Sequence, residues 1–133
     1  MNLKEGVSIN GLRPQISAKL SSIEGVFNDA GSQLTLTCTT GSHKDNDPHT
    51  HGFAIDCRTA GMTPAKATGI ATMLQHTLGD EYYVQYEARI VNEANQVIRG
   101  DHIHIQYRKD LWHAVIEKEK YERRNQAMDA SLH

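Results

Sequence analysis

The segment Asp101-His-Ile-His-Ile-Gln-Tyr-Arg108 decides the fold of this chain, because polar and apolar residues alternate along it with a period of two. That period predicts a β-strand over residues 102–108, with one buried face and one polar face. His102 and His104 share the polar face, whereas Ile103 and Ile105 enter the core. Since histidine is the commonest metal ligand, two imidazoles on one strand face indicate a candidate metal site.

The patterns on either side of this strand predict the rest of the fold. A helix is predicted over residues 13–31, a second over 63–79 with Thr63 as its cap, and a third from residue 110. Strands are predicted over 33–40, 53–58 and 82–91. The predicted class is α+β, with a small antiparallel sheet that carries the metal site and about three flanking helices. Residues 1–133 are predicted to form a single domain, with 125–133 as a frayed tail.

Composition excludes several classes of function. With 14 basic and 16 acidic residues, the net charge of −2 argues against a nucleic-acid binder that works through a broad basic surface. No stretch approaches the roughly 18 consecutive apolar residues of a membrane span. Residues 1–6 contain no apolar signal region, so we expect the protein to accumulate in the cytoplasm of the producing cell. The sequence leaves the oligomeric state open.

A second constellation lies in His49-Thr-His-Gly-Phe-Ala-Ile-Asp56. A turn and a short strand can bring the imidazole of His49 and the carboxylate of Asp56 to one point. Gly52 permits a sharp turn, and the small Ala54 leaves room beside Asp56 on the same strand face. Either histidine cluster alone is compatible with a chance set of surface residues. Together, one carboxylate with two or three imidazoles indicates the nitrogen and oxygen donors of a catalytic zinc site.

Two cysteines fall in predicted strands, and neither belongs to a Cys-x-x-Cys motif. Leu34, Leu36 and Cys38 alternate with threonines, which places Cys38 on the buried face of its strand. Cys38 and Cys57 are therefore predicted to be buried free thiols rather than a thiol-based active site. A disulfide between them stays open if their strands are neighbours.

The residues His49-x-x-Gly52-x-Ala54-x-Asp56 resemble the motif SxHxxGxAxD of the zinc D,D-peptidases, which include D-alanyl-D-alanine carboxypeptidases and phage L-alanyl-D-glutamate endopeptidases. The late pair His102-x-His104 resembles the strand that carries this family's third zinc ligand. The resemblance covers about residues 7–108. It implies one zinc ion per chain, held by His49, Asp56 and His104. The implied reaction is hydrolysis of a peptide bond in peptidoglycan stem peptides that contain D-residues.

The resemblance also implies roles for neighbouring residues. Asp101, three residues before His104, corresponds to the acid that accepts the proton of the attacking water, and His102 corresponds to a donor that stabilises the oxyanion. By strict strand alternation Asp101 lies on the face opposite His104, so this role requires a bend at Gly100. With no signal segment, the enzyme would act on the cell wall after release or delivery, as phage lysis enzymes do.

The sequence departs from the family at two positions. Asp47 replaces the serine of the motif, and 40–43 lack the arginine with which many members bind the substrate. Our weak candidates for a replacement are His43, Lys44 and Arg58. A non-catalytic zinc-containing module with the same fold is the alternative function. The presence of Asp101 favours the enzyme, whereas the missing arginine favours the module.

Overall fold

The computed structural model describes residues 1–42 and 44–131. It confirms the predicted α+β class. Within these residues the helices and strands follow one another as β1 (Asn2–Leu3), α1 (Pro14–Ser17), α2 (Leu20–Asp29), β2 (Thr35–Cys38), β3 (Ala54–Arg58), α3 (Pro64–Leu78), β4 (Tyr82–Glu87), β5 (Ile90–Val91), β6 (Val97–Arg99), β7 (His102–Tyr107) and α4 (Lys109–Ser131).

Five strands form the main sheet in the order β1-β2-β3-β7-β4. All neighbours are antiparallel except β1, which pairs parallel with β2. β7 therefore lies between β3 and β4, and Asp56 lies directly opposite His104. β5 and β6 form a separate two-stranded hairpin.

One face of the main sheet packs on the hydrophobic core. Ile55 and Cys57 of β3, and Ile103 and Ile105 of β7, are fully buried there. Helices α2 and α3 cover this face with apolar residues that include Ile23, Phe27, Ile70 and Leu74. The alternate residues of the same strands are polar and carry the candidate site on the opposite face.

Helix α3 follows its sequence signals closely. The hydroxyl Oγ1 of Thr63 accepts a hydrogen bond from the backbone N–H of Lys66 at 3.1 Å, and Pro64 occupies the first turn. Gly79 follows the last helical residue with a φ of 86°, a conformation that favours glycine. The predicted helix over 63–79 therefore forms, with its cap and its stop as expected.

Several predicted boundaries were wrong. The helix predicted over 13–31 is divided into α1 and α2, because the N–H of Lys19 bonds to the carbonyl of Ile16, three residues back. The strand predicted over 82–91 ends at Glu87, and β5 pairs with β6 instead. Residues 125–131 belong to α4, and fraying of the predicted tail stays a prediction.

Candidate metal centre

The long loop between β2 and β3 places His49 against the polar face of the sheet. Asp47 organises this loop, because its Oδ1 accepts a hydrogen bond from the His49 N–H at 2.9 Å and its Oδ2 accepts one from the Ser42 hydroxyl at 2.8 Å. Burial would raise the pKa of Asp47, but these hydrogen bonds outweigh it and lower the pKa. The residue that replaces the serine of the motif therefore holds His49 in place.

Gly52 lets the same loop dock closely onto the chain before α1. Its φ is 80°, and a Cβ at this position would lie 2.2 Å from the carbonyl oxygen of Gly11. The N–H of Arg13 donates to the Gly52 carbonyl at 2.9 Å, and Arg13 Nε donates to the His51 carbonyl at 3.2 Å. Only glycine satisfies both the backbone angle and the close approach, as the sequence predicts for a turn at this point.

The carboxylate of Asp56 is the centre of the site. His49 Nε2 lies 3.3 Å from Asp56 Oδ1, and His104 Nδ1 lies 3.0 Å from the same oxygen. The His49 Nδ1–H donates to the carbonyl of Thr39 at 2.8 Å, which leaves Nε2 facing Asp56. The structure thus brings together the three residues that the sequence assigns as metal ligands.

Cys38 joins this group because of a β-bulge. Leu36 lies opposite Cys57, but Cys38 lies opposite Asp56, so the register shifts by one residue between them. A shift of one residue transfers a side chain to the other face of a sheet. The expectation that Cys38 is buried in the core beside Leu36 was therefore wrong. Its Sγ faces the site, 3.6 Å from His49 Nδ1.

Among residues 1–42 and 44–131, the donor atoms of Cys38, His49 and Asp56 lie within 4.8 Å of one another and could hold a metal ion. His104 is not part of that compact set. Its Nδ1 faces Asp56 and its Nε2 faces Gln106 Oε1 at 2.8 Å. The predicted ligand His104 is thus, in this structure, a hydrogen-bond partner of Asp56, and Cys38 is the donor that the sequence reasoning missed.

The pKa values of Asp56 and His49 are set largely by contacts within the cluster. Burial would raise the pKa of Asp56, but hydrogen bonds from His104 and His49 outweigh it and lower the pKa well below the ordinary value. Burial would lower the pKa of His49, but its contacts with Asp56 and Cys38 raise it to about 10. Asp56 is thus a carboxylate and His49 an imidazolium in the metal-free protein, and a metal ion would displace the proton from His49.

His102 lies at the edge of the cluster with both ring nitrogens next to acceptors. Nδ1 is 3.1 Å from the carbonyl of Gly100, and Nε2 is 2.9 Å from Glu87 Oε2. Arg99 Nη2 donates to the same Glu87 oxygen at 2.8 Å. Glu87 thus contacts the nitrogen of His102 that lies nearest to Asp56, and the role of His102 as an oxyanion donor stays a prediction.

Asp101 directly precedes β7. It lines a cavity of about 310 Å³ together with Cys38, Asp56 and His102. Its Oδ2 accepts a hydrogen bond from the hydroxyl of Thr59 at 2.8 Å. Because Thr59 is fully buried, this bond fixes the carboxylate at the wall of the cavity. The bend at Gly100 and the role of Asp101 as the base stay predictions.

A second cavity of about 430 Å³ opens on the other side of the cluster. His49 and His104 lie at its wall, and Lys44, Asp47, Glu87 and Arg99 provide its charged groups. Of the weak candidates for substrate binding, Lys44 lines this cavity and Arg58 lines the smaller one. His43 lies outside the described residues. Arg99 lines both cavities and was not predicted, since nothing in its local sequence distinguishes it.

Cys38 and Cys57 are both free thiols, so the disulfide that the sequence left open does not form in this structure. No helix within the described residues is long and apolar enough to cross a membrane. Comparisons with protein-family models, with curated proteins and with solved structures found no match to this chain. The relation to the zinc D,D-peptidases accordingly stays a prediction from the sequence.

Proposed function

We propose that this protein is a zinc-dependent peptidase that hydrolyses a peptide bond in peptidoglycan stem peptides containing D-residues. The observation that carries the proposal is the convergence of His49 and His104 on the carboxylate of Asp56, which lines one cavity while the two histidines line another. Sulfur, nitrogen and carboxylate donors suit zinc, whereas magnesium and calcium favour oxygen ligands alone. The chemistry of the donor set, with Cys38 included, therefore fits this ion.

Zinc bound here would supply an activated water and polarise the scissile carbonyl. Asp101 would accept a proton and deliver it to the leaving amine. Thr59 orients Asp101 through one oxygen and leaves the other free to act. Positioning of a base in this way is worth roughly 10²–10⁴ in rate.

Arg99 is the best candidate for the substrate-binding cation that 40–43 lack. Glu87 anchors one end of its guanidinium, which is otherwise exposed, and the side chain borders both cavities. Remaining N–H groups of Arg99 can donate to a substrate carbonyl or carboxylate, and to developing negative charge on the carbonyl oxygen. We assign to Arg99 the donor role that the resemblance gives to His102.

Cys38 favours a second candidate function. If Cys38, His49, Asp56 and His104 all bind the ion, four protein ligands complete a tetrahedral site and leave no position for water. A closed site of this kind is typical of a structural or partner-binding module. The non-catalytic alternative is therefore distinguished from the enzyme by whether one position at the metal stays open.

Digestion of purified peptidoglycan by the zinc-loaded protein, with mass analysis of the released fragments, tests the proposal. Wild-type protein should release stem-peptide fragments. Asp101→Asn should retain zinc and fold, and cut about a hundredfold more slowly. Asp29→Asn, at an exposed position at the end of α2, is the matched control and should leave the rate unchanged. Zinc binding without any cleavage would contradict the enzyme and favour the module.

A further inference from the structure

The two cysteines of this chain lie on adjacent strands in opposite surroundings. Cys57 is fully buried in the core, and burial together with the Asp56 charge raises its pKa. Cys38 is half-buried on the other face of the sheet, where the bulge in β2 directs it at His49 and Asp56. One thiol is therefore shielded, and the other belongs to the candidate metal cluster.

Solvent reaches Cys38 through the cavity of about 310 Å³ that it lines. Three cationic side chains, Lys4, Arg58 and Arg99, and the two carboxylates of Asp56 and Asp101 line the same cavity. A partly exposed cysteine can meet a small oxidant, whereas a thiol enclosed in the core is inert. The cavity thus provides access for a small oxidant to the sulfur of Cys38.

We propose that Cys38 is an oxidation-sensitive metal ligand, and that a hydroperoxide entering this cavity releases the bound ion. The proposal rests on the metal site of the proposed function, and it holds for an enzyme or a structural module alike. It makes retention of the metal depend on the oxidation state of one side chain.

The chemistry is a two-electron oxidation of sulfur by the peroxide. The Cys38 thiolate attacks one peroxide oxygen, an S–O bond forms, the O–O bond breaks, and hydroxide leaves with the electron pair. The product is a sulfenic acid, which lacks the thiolate charge that binds zinc. A first external thiol then forms a mixed disulfide with release of water, and a second restores the Cys38 thiol.

Cys57 does not resolve the sulfenic acid within the chain. Cys38 and Cys57 project from opposite faces of the sheet, and side chains that point apart cannot be bridged without movement of the backbone. The oxidised state should therefore persist until an external thiol reduces it. This geometry predicts reversible loss of metal rather than a permanent disulfide.

The test uses the zinc-loaded full chain treated with hydrogen peroxide, with zinc release followed by a coloured chelator. We expect release of the bound zinc together with addition of one oxygen atom to the peptide that contains Cys38. Dithiothreitol should then restore zinc binding. Cys57→Ala, the matched control, should release zinc as the wild type does; Cys57→Val serves the same purpose if the smaller side chain prevents folding.

Cobalt substitution tests the ligand directly. Cobalt-loaded wild type should show a sulfur-to-cobalt charge-transfer band that Cys38→Ser lacks. Because loss of an outer-shell partner already weakens metal binding about 10- to 100-fold, Cys38→Ser should weaken zinc binding at least tenfold. The zinc that Cys38→Ser still binds should not be released by peroxide.

Each remaining outcome is decisive. A protein that binds zinc without the cobalt band, or a Cys38→Ser variant that loses zinc to peroxide as fast as wild type, overturns this proposal but leaves the peptidase proposal standing. Peroxide-dependent release from a protein that cuts no peptidoglycan overturns only the peptidase. Failure to bind zinc at all overturns both.

Discussion

The two faces of β3 and β7 alternate residue by residue and differ in what they contribute. On one face Ile55, Ile103 and Ile105 are fully buried in the core. On the other face, Asp56 and His104 are about 14% exposed and hold charge and hydrogen bonds rather than apolar contacts. Burial of each isoleucine stabilises the fold by about 1.5–3 kcal/mol, whereas burial of charge is costly unless it is paired. Residues that stabilise the core and residues that form the candidate site are therefore neighbours in each strand, on opposite faces of the sheet.

The largest expected effect comes from adjacent residues of β7. Ile103→Ala should lower the free energy of unfolding by about 2–5 kcal/mol, because it leaves a cavity in the core. In the presence of a chelator His104→Ala should cost less, since Asp56 keeps its contact with His49. Urea unfolding measures both.

Zinc titration of the same two variants should give the opposite order. Ile103→Ala should bind zinc normally wherever it is folded, and His104→Ala should bind it at least about tenfold more weakly, whether His104 is a ligand or a partner of Asp56. Equal losses of stability and of zinc affinity in the two variants would show that the two faces are not separable.

The polar face also depends on the loop that carries His49, and substitution of Gly52 in that loop tests this dependence. Gly52→Ala should lower the free energy of unfolding by about 2 kcal/mol or more, because it adds a clash with the Gly11 carbonyl to the cost of a positive φ. Gly61→Ala is the matched control, since Gly61 has a φ of 85° with nothing within 4 Å of its Cβ position. Gly61→Ala should lower the free energy of unfolding only by the backbone cost of a positive φ, about 1–2 kcal/mol.

Zinc affinity should separate the two glycine variants as well. A displaced Gly52 moves the turn that carries His49, so Gly52→Ala should bind zinc more weakly, and Gly61→Ala should bind it normally. If Gly52→Ala unfolds no more easily than Gly61→Ala, the close approach to Gly11 is not important for docking the loop.

The core face could be predicted from the sequence, and the polar face only in part. Alternation in 102–108 depends on a local period of two, which the antiparallel pairing of β3 with β7 preserves. The same period accounts for Asp56 and His104 on one face, whereas His49 lies in a loop and is grouped with them by the turn at Gly52 and by the family resemblance. Cys38 could not be grouped with them, because a bulge is a property of how two strands pair, and nothing in residues 33–40 marks it. Glu87 likewise depends on β4 pairing with β7, a neighbour relation that the sequence does not specify.

The smallest expected effect is a slope of stability with pH, which should arise from the polar face alone. In the metal-free protein the folded pKa of His49 is about 10, above its ordinary 6.5. The stabilisation is therefore complete below pH 6.5 and is lost as pH rises through the folded pKa, because above pH 6.5 the unfolded chain binds fewer protons than the folded one. Between about pH 6.5 and 8.5 the free energy of unfolding should fall by up to about 1.4 kcal/mol per pH unit.

Urea unfolding in chelator at several pH values measures this slope, and the upper limit stays below 9.0, the ordinary pKa of a cysteine thiol. Asp56→Asn should flatten the slope, because His49 loses the carboxylate that raises its pKa. Ile103→Val, a core control, should lower stability equally at every pH. Saturating zinc should also abolish this fall of stability with pH, since the ion replaces the proton on His49. A slope that survives in Asp56→Asn would place its origin outside the cluster and end the assignment of pH dependence to this face.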